Sequence, residues 1–268
     1  MVPLQKRSRI PLVGLGTWQL SGRECEKVVE QALEVGYRHI DTADAYENHK
    51  AVGKAIRSFP RKDLFLTSKV ALHKLEPKQI REAVPRFLEE LKTPYLDLLL
   101  IHWPDPDVDL AESLKTMFEF KELGLVREIG VSNFVRAHLE IFMRHQLPIL
   151  TNQIEMHPYL QRRELVAAYK KQKITITAYR PLGKGALVEE PVLQKIGESH
   201  GKSASQVALR WLVQQDIVAI PKASSPKHLK DNIDIFDFVL TKEEMQKIHA
   251  LDAGKRYCDP EGYPVLED

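Results

Sequence analysis

"YLDLLLIH", residues 95–102, carries an apolar side chain at nearly every position until it ends in a histidine. A strand with one wet face alternates polar and apolar residues, whereas a parallel strand covered on both faces reads as a continuous apolar run. Parallel neighbours need long crossovers, so helical patterns should stand on either side. They do: short β-rich runs alternate with amphipathic stretches along the whole chain. The strand candidates are "LVGLG" (12–16), "HIDT" (39–42), "LFLTSKV" (64–70), "YLDLLLIH" itself, "REIGVS" (127–132), "ILTNQI" (149–154), "ITITAY" (174–179) and "IVAIP" (217–221). Between them lie stretches such as "ECEKVVEQALEVG", with Cys25, Val28, Val29, Ala32 and Leu33 on one face, and "RRELVAAYKKQ", with Leu165, Val166 and Tyr169 on one face. Eight strand-helix units in series predict an α/β fold, a (β/α)8 TIM barrel, with its site at the C-terminal mouth of the strands. Pro85, inside "PKQIREAVPRFLEELK", is expected to kink that helix or to mark a late start. A doubly wound nucleotide-binding sheet is the competing architecture. "GLGTWQLSG" spaces Gly14, Gly16 and Gly22 wrongly for a pyrophosphate turn, and the sequence has no P-loop.

Composition narrows the function classes. The 268 residues are 43% hydrophobic and carry no linker-like or low-complexity segment, so residues 1–268 are expected to form one barrel domain. Lys and Arg number 39 against 37 Asp and Glu, a formal charge of +2, with no basic run dense enough to track a nucleic-acid backbone. No apolar stretch approaches a membrane span, and "MVPLQKRSRIPLVGLG" lacks a leader's apolar region, so a cytoplasmic protein is expected. Cys25 and Cys258 form no CxxC and are read as reduced thiols.

A barrel gathers the C-terminal ends of its strands at one mouth. Those ends carry Asp41 with Tyr46 just beyond, Lys69, His102, Ser132 with Asn133, Gln153, Tyr179, and Pro221 with Lys222. Singly, Asp41 reads as a turn cap, Lys69 as a solvated strand end and His102 as a core histidine. Seven strand ends each sending a polar group to one mouth are not explained by stability. Four of the groups also make chemical sense together. A phenol, pKa about 10, is a poor proton donor near neutrality, and an adjacent ammonium typically lowers such a value by about 1–3 units. Asp41 would keep Lys69 charged, and a neutral His102 would donate a hydrogen bond to the same oxygen that takes the phenol's proton.

"GYRHIDTADAYEN" (36–48), "LFLTSKV", "LLLIHWP", "REIGVSNF", "TNQIEMHPYLQ" and "IPKASSPKHLKDN" resemble, in order, the successive motifs of the aldo-keto reductases, and the resemblance covers essentially the whole chain. It implies NADPH-dependent hydride transfer to small aldehydes and ketones, with Tyr46 as general acid, Lys69 and Asp41 as its tuning pair, His102 orienting the carbonyl, and no metal. It also implies that Tyr179 stacks under the nicotinamide while Ser132, Asn133 and Gln153 bind its carboxamide. The rest of the coenzyme track would run along Thr17, Trp18 and Asp41. From there it would follow the loop Arg180, Pro181, Leu182 and Gly183 after the seventh strand. Beyond the eighth strand it would use Ile220, Pro221, Lys222, Ala223 and Ser224, then His228, Asp231 and Asn232. Ser224-Ser225-Pro226 reads as a helix start whose free N–H groups would face an anion.

The chain departs from the family pattern in places. His228 stands where an arginine is usual, which removes a bidentate phosphate clamp and leaves NADH possible beside the preferred NADPH. Arg180 replaces a serine and is read as either a pyrophosphate contact or a solvated side chain. His49 replaces a glutamate. Trp18 and Trp103 are expected to wall the substrate site with Tyr46 and His102. The short loop "WPDPDVD" and the short tail after Leu251 imply an open pocket for small carbonyls, most similar to the bacterial branch with 2,5-diketo-gluconate and methylglyoxal reductases. A monomer is expected. His145 and His157 are read as surface or loop residues. Two alternatives are a metal-dependent hydrolase on the same barrel and a nicotinamide-sensing subunit without turnover.

Overall fold

The computed structural model describes residues 2–6 and 10–258. The eight expected strands form as β1 (Leu15–Gly16), β2 (His39–Asp41), β3 (Phe65–Val70), β4 (Leu96–Ile101), β5 (Val126–Ser132), β6 (Thr151–Glu155), β7 (Thr175–Tyr179) and β8 (Val218–Ile220). All are parallel and lie in one sheet in chain order. The first returns to the last: Val13 bridges Ala219, and the Gly14 and Gly16 N–H groups donate to the carbonyls of Ala219 and Pro221. β1 is shorter than the expected run 12–16 because the earlier part of that run meets β8 through this bridge.

Helices follow the strands as the apolar periodicity requires. They are α1 (Gly22–Val35), α2 (His49–Ala55), α3 (Pro77–Leu91), α4 (Leu110–Glu122), α5 (Leu139–Arg144) and α6 (Arg163–Lys171), one after each of the first six strands. α7 (Pro191–His200) and α8 (Ala204–Gln214) follow β7, and α9 (Pro226–Ile233) and α10 (Lys242–His249) follow β8. On α1 the buried residues are the five of the expected stripe, and Gly36, at φ 115°, ends the helix in the left-handed conformation. Leu165, Val166 and Tyr169 are the buried face of α6. α3 rules out a late start at Pro85: it begins at Pro77, behind a Glu76 and Gln79 capping box, and continues through Pro85 to Leu91. Pro85 and Arg81 both lie on the solvent face, so water can take the Arg81 carbonyl that a proline leaves without a donor. The sequence also gave no warning of the antiparallel Leu4–Pro11 bridge, which sits with Gln5 bonded to Asp216 where β8 begins, at the end opposite the mouth.

The barrel interior is tightly filled. A methyl group on Gly14 would stand 2.6 Å from Nδ1 of His39, so the glycine makes room for an imidazole inside the ring. His39 Nε2 meets Thr67 Oγ1 at 3.0 Å across β2 and β3. Burial lowers the His39 pKa to about 4, against the pull of Asp41, and the ring is neutral in the folded chain. The unfolded chain therefore takes up this proton first. The stability that His39 contributes is whole above pH 6.5 and is lost as pH falls toward 4, by about 3 kcal/mol at most. Urea melts across that window should show the decline, and His39→Asn should flatten it; a parent curve already flat there would contradict the assignment.

Candidate active site

Side chains alternate along each strand, so residues 39 and 41, 67 and 69, and 151, 153 and 155 share the inner face. The interior therefore becomes polar at the mouth. Asp41 shows this best. Its Oδ2 accepts from Gln153 Nε2 at 2.7 Å, a bond crossing the barrel between β2 and β6, strands that are not neighbours. Its Oδ1 accepts from Lys69 Nζ at 2.5 Å.

Lys69 is fully buried, which an ammonium tolerates only with all of its hydrogens placed. The three acceptors are Asp41 Oδ1, the Thr42 carbonyl at 2.9 Å and the Tyr46 hydroxyl at 3.3 Å. Burial pulls its pKa down, but Asp41 and Tyr46 more than offset this and the value is raised, so Lys69 stays charged. An ammonium has no lone pair, so in the third contact Tyr46 must accept. The phenol's own proton is left to point elsewhere. The His102 ring stands edge-on to the Tyr46 ring, centroids 5.5 Å apart. Burial, with Lys69 adding to it, holds the His102 pKa well below the ordinary histidine value, so the ring is neutral. Tyr46 corrects an expectation. Burial is the largest influence and raises the phenol's pKa, Asp41 adds to the rise, and the opposing pull of Lys69 still leaves it above the ordinary tyrosine value. The resting group is a protonated phenol, and the ammonium matters when the proton leaves.

Tyr46 ends a 3-10 turn, Asp44–Tyr46, that is braced from three sides. Asn48 donates to the carbonyls of Thr17 and Leu20, and its Oδ1 accepts from Thr42 at 2.5 Å. His49, in the place of the usual glutamate, is buried between Ser68, at 2.9 Å, and Glu90, at 3.3 Å. Asp44 reaches Lys74 and Arg86.

A cavity of about 320 Å³ opens over these groups. Trp18 and Trp103 line it, with Thr17, Asp41, Tyr46 and His102. Its floor includes Ser132, Asn133, Gln153, Tyr179 and Ile220. Two of these groups are already engaged: Asn133 Nδ2 donates to the His102 carbonyl and to Ser132, whose hydroxyl donates to the Gln153 carbonyl. Asn133 Oδ1 accepts from the Tyr179 hydroxyl at 2.8 Å, which fixes that ring at the cavity wall. A second cavity, about 670 Å³, shares Trp18, Arg180 and Lys222 with the first. Pro181, Leu182, Pro221, His228, Asp231 and Asn232 line it. Ser225 caps α9 beside it by accepting from the His228 N–H at 3.2 Å, so the helix start foreseen at 224–226 is in place.

Not every residue of the expected set faces a cavity. Lys69 lies beneath the first cavity, bonded to Asp41 and Tyr46 of its lining, and Gly183, Ala223 and Ser224 line neither cavity. The Tyr257 ring covers Gly183, 3.1 Å from where a side chain would begin. Arg180 is half-buried where the two cavities meet: it donates to the Tyr257 carbonyl and its guanidinium lies 4.8 Å over the Trp18 ring. His157 is in a loop but fully buried, against Glu155 at 3.3 Å. The sequence reading missed Cys258, which lines the catalytic cavity, and the reason it is there. Buried Glu155 accepts the N–H groups of Tyr257 at 2.7 Å and Cys258 at 3.0 Å, pinning the tail beside the mouth. The second cavity also takes Gln19, Lys184, Ser203 and Ser205, residues of loops and of α8 with no pattern of their own.

A model of the aldo/keto reductase family matches residues 12–253. An aldo-keto reductase of Mycolicibacterium vanbaalenii is 42% identical, covering 98% of this chain and 96% of that one. The methylglyoxal reductase DkgA of Escherichia coli K12 is 39% identical, covering 96% and 94%. The crystal structure of a candidate 2,5-diketo-D-gluconic acid reductase B superposes with a TM-score of 0.95 at 39% identity, over 100% of this chain and 98% of that one. With the barrel, its ordered strand-end residues and these matches together, the chain belongs to the aldo-keto reductase family.

Proposed function

We propose that the protein reduces small aldehydes and ketones, keto-aldehydes and keto-sugars among them, to alcohols with NADPH. The observation that carries this reading is the saturated Lys69 ammonium, which leaves the Tyr46 hydroxyl as an acceptor on one side and an available proton donor on the other. When bound, reduced coenzyme would supply the hydride. Tyr46 donates its proton to the carbonyl oxygen as negative charge develops there, and Lys69 stabilises the phenolate left behind. Neutral His102 orients the carbonyl by a hydrogen bond to the same oxygen. Trp18 and Trp103 limit water around the reacting oxygen.

The two adjoining cavities fit a nicotinamide dinucleotide by their chemistry. The catalytic cavity offers the flat Tyr179 ring and the polar Ser132, Asn133 and Gln153. The second offers Lys222, His228, two serine hydroxyls and the capped start of α9, a donor set suited to phosphates. The names of the relatives, methylglyoxal reductase and candidate 2,5-diketo-D-gluconic acid reductase, agree with small, oxygen-rich carbonyl substrates.

The reading is tested by mixing the protein with NADPH and methylglyoxal, then a panel of aldehydes and keto-sugars, and following coenzyme absorbance. No carbonyl-dependent loss with any of them would refute it. NADH use has its own support in the second cavity, since Lys227 is already paired with Asp231 at 2.6 Å and no arginine stands at 228. His228→Arg should therefore raise the preference for NADPH over NADH by about tenfold, read as dissociation constants from fluorescence titration. An unchanged ratio would place the 2′-phosphate away from residue 228.

A further inference from the structure

We infer that Asp44 is a positioning residue for Tyr46, held by Lys74 and Arg86 so that the turn bearing the phenol stays against Lys69. The inference rests on the reading of Tyr46 as the acid. The turn is only three residues long, with one backbone bond from Tyr46 N–H to Ala43 and one from Glu47 N–H to Asp44. Glu47 leaves it in the left-handed region at φ 53°. So short a turn does not fix its own place on the barrel. Asp41 anchors its start through Lys69, and Asn48 anchors its end on the loop after β1. Asp44 secures the remaining flank.

Its carboxylate is buried, and each oxygen takes one cation: Oδ2 accepts from Lys74 Nζ at 2.8 Å, Oδ1 from Arg86 Nη2 at 2.8 Å. Lys74 follows β3, the strand that carries Lys69, and Arg86 stands in the middle of α3. Arg86 also approaches Glu90, at 3.5 Å, and Glu90 meets His49 at 3.3 Å. The turn and the start of α2 are thus tied to β3 and α3. The tie matters because the Tyr46 hydroxyl meets Lys69 at 3.3 Å, already long for such a bond, so a small outward shift would lose it.

The test is Asp44→Asn in the full-length protein, with NADPH and methylglyoxal. We expect kcat to fall about tenfold, since misplacement by about 1 Å can cost up to about a hundredfold. KM for the carbonyl and the NADPH dissociation constant should stay within about twofold of the parent, as expected when only the transition state is affected. The solvent deuterium isotope effect on kcat should increase, because proton delivery from Tyr46 becomes more limiting, and Asp44→Glu should restore part of kcat. Should Asp44→Asn fail to fold, Lys74→Met combined with Arg86→Gln removes the same tie from the solvent side and should give the same pattern. Unchanged kcat in the variants, or a fall with no change in the isotope effect, would overturn the inference. The two readings fail separately: a fully active Tyr46→Phe defeats the acid assignment, whereas an inactive Tyr46→Phe beside an unimpaired Asp44→Asn defeats only the brace.

Discussion

Tyr46→Phe should lower carbonyl-dependent turnover by about 10²–10⁴-fold while leaving coenzyme affinity within about twofold. The substitution removes one oxygen and keeps the ring that stands edge-on to His102. Packing is therefore conserved, and the loss reports the proton alone. Lys69 loses its third acceptor, but its bonds to Asp41 and Thr42 remain. Because burial keeps the phenol protonated at rest, the parent should show no fall in kcat near neutrality from ionised Tyr46. Steady-state rates with methylglyoxal, beside NADPH titrations of both proteins, decide the matter. A variant with parental turnover would remove Tyr46 from the chemistry and would direct attention to His102 as donor.

The second large effect falls on stability as well as rate. Lys69→Met should destabilise the fold by about 3–5 kcal/mol, because it strands a carboxylate in the barrel interior. Asp41 would keep Gln153 but lose its ion pair, and the Thr42 carbonyl would lose its donor. Asp41→Asn should be similarly costly, since it leaves the buried ammonium without its counter-charge. Combining the two removes both charges, so the double variant should regain much of the stability lost by either. It should regain none of the activity. Urea melts of the four proteins, with turnover measured on each, separate the effects; strict additivity of the two losses would show that the pair is not energetically coupled.

Much of this was legible in the sequence because a barrel translates chain order into space. Asp41, Lys69, His102 and Gln153 each stand at or near the C-terminal end of a strand on its inner face, and a closed ring of parallel strands brings such positions to a common mouth. The stripe on α1 was legible for the same reason, since periodicity fixes a face. What escaped depends on contacts that no local pattern announces. Lys74 and Arg86 reach Asp44 across 30 and 42 residues, and Glu155 holds the tail across 102 and 103. Burial depth escaped too. It reverses the expected direction at Tyr46, and it places His157 inside although its neighbourhood reads as a loop. Pro85 misled as a sign of a late start because the exposed Arg81 carbonyl can turn to water once the proline withholds its donor.

The contact between Gly14 and His39 reaches beyond this one molecule. The imidazole fills the space that any larger residue at 14 would claim, so drift at either site alone meets a clash or a void. In lineages descended from this chain the two positions should change in tandem, a bulkier 14 arriving with a slimmer 39, and their covariation would be a fossil of how the ring is packed.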